Sequence, residues 1–221
     1  GVAKWHRITE IAIIHHDGEK ELLRYQTLIN PEVVIPRNIA TLTGITDEMV
    51  ANAPTFKQKA EEIFALLQGP IFVAHNVNFD YGFLRSHFAE LGMKWNPKRL
   101  CTVRLSRKIL PGMYSYSLGK LAQQLGFSIE DRHRAMGDCD FTATLFAMLV
   151  KKDGEGHIDF ALNQRSREAT LPPNVPREII ETIPKSLGVY FFYGPGKKII
   201  YIGKANNLKQ RVSEHFRGST H

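Results

Sequence analysis

The chain has 221 residues, 43% hydrophobic and 23% charged, which suits one large domain or a domain with a smaller companion. Two distant cysteines, Cys101 and Cys139, exclude a disulfide scaffold or a cysteine zinc site and fit a reducing cytoplasm, while no apolar run approaches the ~20 residues a membrane helix needs and no signal peptide is visible. The net charge of +7 is uneven: residues 1–150 hold 17 Lys+Arg against 15 Asp+Glu, residues 151–185 six against six, and residues 186–221 six against one.

Residues 7–14 (RITEIAII) read as a buried strand and residues 22–29 (LLRYQTLI) as its partner, joined through the turn signal Asp17-Gly18. Pro31 and Pro36 interrupt the pattern, and residues 42–46 (LTGIT) read as a polar loop before a short helical start at Asp47. Residues 60–67 form an amphipathic helix entered near Pro54 and stopped by Gly69-Pro70, and residues 71–74 (IFVA) a short buried strand. HNVNFD (75–80) then opens a helix to about Leu91. Two helices follow, over 101–110 and 117–125, and a long one runs from Ala135 to about Val150. This order predicts an α/β or α+β fold with a mixed sheet that is thin for its helices, with only three clear strands. Residues 153–185 read as a linker, residues 188–193 and 198–203 as a hairpin around Gly194-Pro195-Gly196, and residues 206–216 as a helix.

Two stretches carry candidate chemistry. In HRAMGDCD (133–140), His133 stands just outside a helix and Asp138 lies in its first turn; in HNVNFD, Asp80 holds the same position in its own helix. A carboxylate there is favoured by the helix dipole and can hold a hard cation, and a neutral imidazole can take a proton from water. Carboxylates converging from separate elements with a mobile base are what metal-assisted phosphodiester hydrolysis requires. Taken singly, the plainer reading, a dipole-compensating acid and a loop histidine, is the stronger one. Phe79 and Tyr81, which flank Asp80, either stack on a base or fill the core. The basic last 36 residues suggest a polyanion partner, nucleic acid first, against a plain solvated face.

With these motifs in hand, residues 1–152 resemble the 3′–5′ exonucleases typified by the ε subunit of bacterial DNA polymerase III, through RITEIAII, LTGIT followed by APTF, HNVNFD and HRAMGDCD. The resemblance implies a ribonuclease-H-like mixed sheet flanked by helices, and two magnesium or manganese ions held by four acidic residues. Asp80 and Asp138 map to two of those acids, His133 to the general base, and Gly44, Ile45, His75, Asn76, Phe79 and Tyr81 to the substrate side. The family's Asp-x-Glu first motif precedes the RITEIAII strand. Only residues 1–6 do so here, and none is acidic. The chain, opening at Gly1, therefore reads as a fragment lacking two ligands and the strand that bears them, with its own activity impaired. Glu10 matches a position beyond that motif and is not assigned as a ligand.

Residues 186–221 resemble the start of a GIY-YIG nuclease domain of the excinuclease C type, through Gly188-Val189-Tyr190, Tyr201-Ile202-Gly203 and IGKANNLKQRVSEHF. Tyr190, Tyr201, Arg211 and His215 map onto its functional positions, and its metal-binding glutamate has no counterpart. The expected partners are single-stranded or 3′-end DNA and DNA polymerase III, with no membrane. A non-catalytic nucleic-acid-binding or polymerase-associated module, and an RNA-trimming enzyme, are the competing readings.

Overall fold

The computed structural model describes residues 7–129, 133–163, 175 and 177–216, in two compact units divided between Asn163 and Gln164. In the first unit, β1 (Glu10–His16) and β2 (Glu21–Leu28) pair antiparallel, with Glu10 opposite Leu28 and His15 opposite Leu23. The run of isoleucines in β1 favours extended backbone. The turn closes on the Asp17 carboxylate, which accepts the N–H groups of Glu19 and Lys20 at 2.9 and 2.8 Å.

Of the LTGIT stretch, Leu42 and Thr43 end a helix, and Gly44, Ile45 and Thr46 form the expected loop before Asp47. α1 (Arg37–Thr43) stops at Gly44, whose φ of +71° is the left-handed cap and whose N–H bonds the Ala40 carbonyl. After α2 (Asp47–Val50), α3 (Phe56–Leu67) begins two residues past Pro54, with Phe56, Ala60, Ile63 and Leu67 buried along one face. Thr55 and Gln58 form a capping box there, each side chain accepting the other's backbone N–H.

β3 (Phe72–Ala74) runs parallel to β4 (Arg99–Cys101), and α4 (Val77–Glu90) is the crossover between them. β4 was hidden from sequence reasoning: three residues show no period, and they run directly into α5 (Thr102–Ile109). α6 (Leu118–Gln124) and α7 (Ala135–Lys152) follow. One core joins the hairpin to α3 and α4 through Ile29, Ile63, Phe88 and Trp95; another joins β4, α6 and α7 through Leu100, Leu121, Leu145 and Leu149. The strands of this unit, as described, form an antiparallel pair and a parallel pair with helices around them, the mixed α/β arrangement expected.

The stretch read as a linker, 153–185, holds more structure than its composition suggests. Asp153 accepts the N–H groups of His157 and Ile158, both at 2.8 Å, and so nucleates α8 (His157–Asn163). Ile158, Ala161 and Leu162 then pack on the Leu100–Leu149 core. α9 (Arg177–Thr182) belongs to the second unit, where Ile180 is buried against Val212. Burial against distant residues, not local periodicity, makes both helices.

In the second unit, β5 (Gly188–Tyr193) and β6 (Ile199–Ala205) form the expected antiparallel hairpin, and α10 (Leu208–Phe216) follows. No helix among the described residues is long and apolar enough to cross a membrane.

Candidate active site

Asp80 lies in the first turn of α4 and Asp138 in the first turn of α7. Each helix is entered through a non-glycine residue in the left-handed region, Asn76 at φ +71° and His133 at φ +72°. Asparagine and histidine are both among the non-glycine residues enriched in that conformation. The two carboxyls feel each other. Burial pushes Asp80 up, to about 7, and the charge of Asp138 adds to the rise against one backbone hydrogen bond. A desolvated carboxyl beside a second carboxylate is the arrangement a cation would relieve. As oxygen donors the two suit a hard divalent ion, although no group of three or more His, Cys, Asp or Glu side chains able to hold a metal occurs among the described residues.

The other sequence candidates divide. His75 is not available to substrate: its Nδ1 pairs with the Thr102 hydroxyl and its Nε2 with the Tyr116 carbonyl, both at 2.9 Å, and burial lowers its pKa. Ile45 is 1% exposed and packs with Ile35 and Val50, so it supports the loop from below. Tyr81 is also core: its ring sits 5.4 Å from Trp95, and its hydroxyl donates to Asn96 Oδ1 at 3.1 Å. Phe79, by contrast, is 48% exposed and touches Phe83 at 5.0 Å. The two aromatics flanking Asp80 therefore differ, Phe79 outward and Tyr81 inward, because successive helix positions turn by about 100°. Asn76 is exposed, and Gly44 supplies the left-handed cap.

Sequence reasoning passed over Glu10. Its side chain, 4% exposed, forms a salt bridge with Arg134 at 2.7 Å and accepts the N–H of Ala135 at 2.8 Å and an amide N–H of Gln26 at 3.0 Å. Burial alone would raise its pKa, but Arg134, the Ala135 N–H and Gln26 together hold it below the usual carboxylate range. Glu10 thus ties β1 to the N-terminus of α7, one residue after His133 and three before Asp138. The available signal was a lone acid in an apolar strand, which must find a partner.

A groove of about 600 Å³ lies away from this pair, on the opposite face of α7, between Ala143, Ala147 and Lys151 and the hairpin residues His16 and Arg24. Arg24 is clamped there by Asp140 at 2.6 Å and Glu21 at 2.7 Å. The groove shares no residue with the aspartate pair, so the chemistry is assigned to the acids and not to this hollow.

In the second unit, Tyr190, Tyr201, Arg211 and His215 come together. The Tyr190 hydroxyl is 2.6 Å from His215 Nε2, the Tyr201 ring lies 4.9 Å from His215, and Arg211, bonded to Glu214 at 3.0 Å, also interacts with Tyr190. Desolvation and then Tyr201 raise the Tyr190 pKa. The approach is possible only because residue 203 is glycine: a Cβ there would overlap the Tyr190 ring. Gly203→Ala is expected to cost about 1–3 kcal/mol by overpacking. Amide hydrogen exchange along β5 and β6 checks it, and unchanged protection would remove the constraint.

The parallel strand pair with its crossover helix, the antiparallel hairpin and the surrounding helices make a mixed α/β unit, and its likeness to solved exonucleases marks the fold as ribonuclease-H-like. The sequence pattern of the RNase T exonuclease family matches residues 2–146, and that of the UvrC-like GIY-YIG domain matches residues 186–221. The chain belongs to the RNase T family of exonucleases, and its residues 186–221 resemble the UvrC-like GIY-YIG domain. It is 36% identical over 217 residues to a Mycobacterium tuberculosis protein named a bifunctional exonuclease/endonuclease, covering 96% of this chain and 34% of that one. This chain therefore spans about a third of the length of that relative. It is 32% identical over 146 residues to the DNA polymerase III subunit epsilon of Aquifex aeolicus, covering 66% of this chain and 72% of that protein. Among solved structures, Exonuclease X in complex with 5′ overhanging duplex DNA superposes with a TM-score of 0.56 at 27% identity, over 70% of this chain and 87% of that one.

Proposed function

We propose that this chain is a nuclease module that removes nucleotides from the 3′ end of single-stranded DNA, with Asp80, Asp138 and His133 at the reacting centre. The observation that carries the reading is the placement of two aspartates in the first turns of separate helices, near enough for the charge of Asp138 to act on Asp80. Asp80 and Asp138 would hold magnesium or manganese, which supplies charge neutralisation at the phosphate and a water of lowered pKa. His133, placed outside α7, takes the proton from the attacking water. Phe79 is exposed beside Asp80 and stacks on the terminal base; Asn76 offers an exposed amide to the same strand. Ile45, His75 and Tyr81 hold these groups in place from beneath.

The Tyr190, Tyr201 and Arg211 cluster is proposed as part of a second nuclease site. Likeness to an epsilon subunit supports DNA polymerase III as a partner, and two free cysteines support a cytoplasmic setting. The second reading, a non-catalytic nucleic-acid-binding module, is favoured by the donor set, which stops at two among the described residues.

One pair of assays separates the readings. The substrate is 3′-labelled single-stranded DNA with manganese, given to this chain and to the same chain preceded by a strand bearing Asp-x-Glu. Release of label that chelator abolishes, in the extended chain at least, supports the nuclease reading. DNA binding without release in either folded protein supports the binding module.

A further inference from the structure

The basic character of the first unit is concentrated. Residues 1–80 hold seven Lys+Arg and ten Asp+Glu, whereas residues 81–129 hold eight Lys+Arg and a single acid, Glu90. The tract begins immediately after Asp80. Within it, Arg85 and Arg99 share one aromatic ring. The Arg99 guanidinium lies 3.7 Å from the centre of the Tyr81 ring and that of Arg85 lies 5.9 Å from it. Arg85 is one helical turn beyond Tyr81 on α4, and Arg99 starts β4.

These two arginines differ from others in the chain. Arg7 is paired with Glu90, Arg24 with Asp140 and Glu21, Arg134 with Glu10, and Arg211 with Glu214. Arg85 and Arg99 have neither an ion pair nor a hydrogen bond among the described residues, and Glu90, the one acid of the tract, is taken by Arg7. Partial burial lowers the Arg99 pKa and the like charge of Arg85 lowers it further. Two planar forks, each with five N–H donors and held on a ring without a carboxylate, suit the oxygens of a phosphate. The ring is itself fixed, by Trp95 and by the bond from its hydroxyl to Asn96. Arg85 stands five residues past Asp80, about 7.5 Å along the helix axis.

We propose that Arg85 and Arg99, stacked on Tyr81, form a phosphodiester-binding subsite that holds the nucleic-acid strand whose end lies at Asp80. The inference rests on the nuclease reading for the position of that end, and on the arginine geometry for the subsite.

The test uses the full chain in chelator, so that no turnover intervenes, and follows the anisotropy of 5′-fluorescein-labelled oligo(dT) at 25–200 mM salt. Arg85→Met and Arg99→Met are each expected to weaken binding several-fold and to lower the slope of log affinity against log salt by about 0.7, the value for one phosphate contact on a single strand; the double variant should lose about twice that. Arg99→Lys keeps the charge and should retain the slope while weakening binding, because the planar fork is lost. Lys151→Met with Lys152→Met, at the far end of α7, is the control and should leave the slope within half of one contact. A double arginine variant with the parental slope, a control that falls as far, or no binding by the parent at the lowest salt overturns the proposal. Inorganic phosphate, titrated calorimetrically, is the second arm: arginine-dependent phosphate binding with an unchanged DNA slope assigns the site to free phosphate and overturns the strand reading. If Arg99→Met does not fold by circular dichroism, Arg85→Met, at an exposed helix position, decides the matter. Asp80→Ala separates the two ideas. Retained nuclease activity in that variant sinks the nuclease reading, while its arginine-dependent salt slope still reports on the subsite.

Discussion

Alanine at Asp80 or Asp138 is expected to reduce manganese-dependent release of nucleotides from 3′-labelled single-stranded DNA by roughly 10³-fold or more, in whichever form of the chain is active. The reason is that metal charge stabilisation is worth several kcal/mol and each 1.4 kcal/mol is tenfold. The fold should survive, because both side chains sit in first helical turns at the rim of the core. Activity within tenfold of parental in either variant would remove that aspartate from the reacting centre. A stability measurement in chelator gives an independent view of the same pair. Asp80 is held up to about 7, above its unfolded value of 3.8, so the folded state keeps a proton that the unfolded state has lost. Stability should therefore fall as pH rises from about 4 to 7, and Asp80→Asn should remove that fall. The variant is expected to melt at least about 2–4 °C higher than the parent at pH 8, the shift for 1 kcal/mol in a chain of this size, and at the same temperature near pH 3. A parent and variant that melt together at both pH values would mean that Asp80 is ionised and well solvated.

Glu10→Ala is expected to destabilise the chain by about 3 kcal/mol, the lower end of the range for breaking a buried ion pair, since Arg134 remains 32% exposed and can rehydrate. The loss should be visible as a lower urea midpoint. It should be specific in space. Hydrogen exchange should rise first at Ala135 and the opening turn of α7, because the Ala135 N–H loses its acceptor. Glu10→Gln keeps the shape and one acceptor oxygen and should cost less. The pH dependence runs opposite to that of Asp80. Glu10 has a depressed pKa in the fold, so its contribution is present above about 4.5 and is lost as pH falls through the lowered value. The gap between parent and Glu10→Gln should close in acid. A gap that persists at pH 2 would assign the effect to packing instead of charge. Because the clamp ends beside His133 and three residues before Asp138, loosening it should also lower kcat without a matching rise in KM for a short oligonucleotide.

Much of the candidate site is legible in the chain itself. Asp80 and Asp138 announce themselves because each follows a polar loop and opens a helix, and helix starts have strong local rules. The hairpins and α4, α7 and α10 are equally local, set by turn residues and by periods long enough to register. What lies outside that reach depends on partners far along the chain. β4 is a strand only because Phe72 to Ala74 lie beside it. α8 forms because Asp153 caps it and because Leu100 and Leu149 receive its apolar side. The direction of Phe79 and Tyr81 follows from which side of α4 meets Trp95.

The sequence by itself determined which residues could do chemistry, since side-chain type and distance from a helix start are written locally. The tertiary structure alone decided which of them are free to do it. His75 and Tyr81 are held by hydrogen bonds within the fold, and Ile45 is buried. Glu10 became the clamp of α7 because Arg134 and Ala135, more than 120 residues away, supply the charge and the N–H that make its burial tolerable.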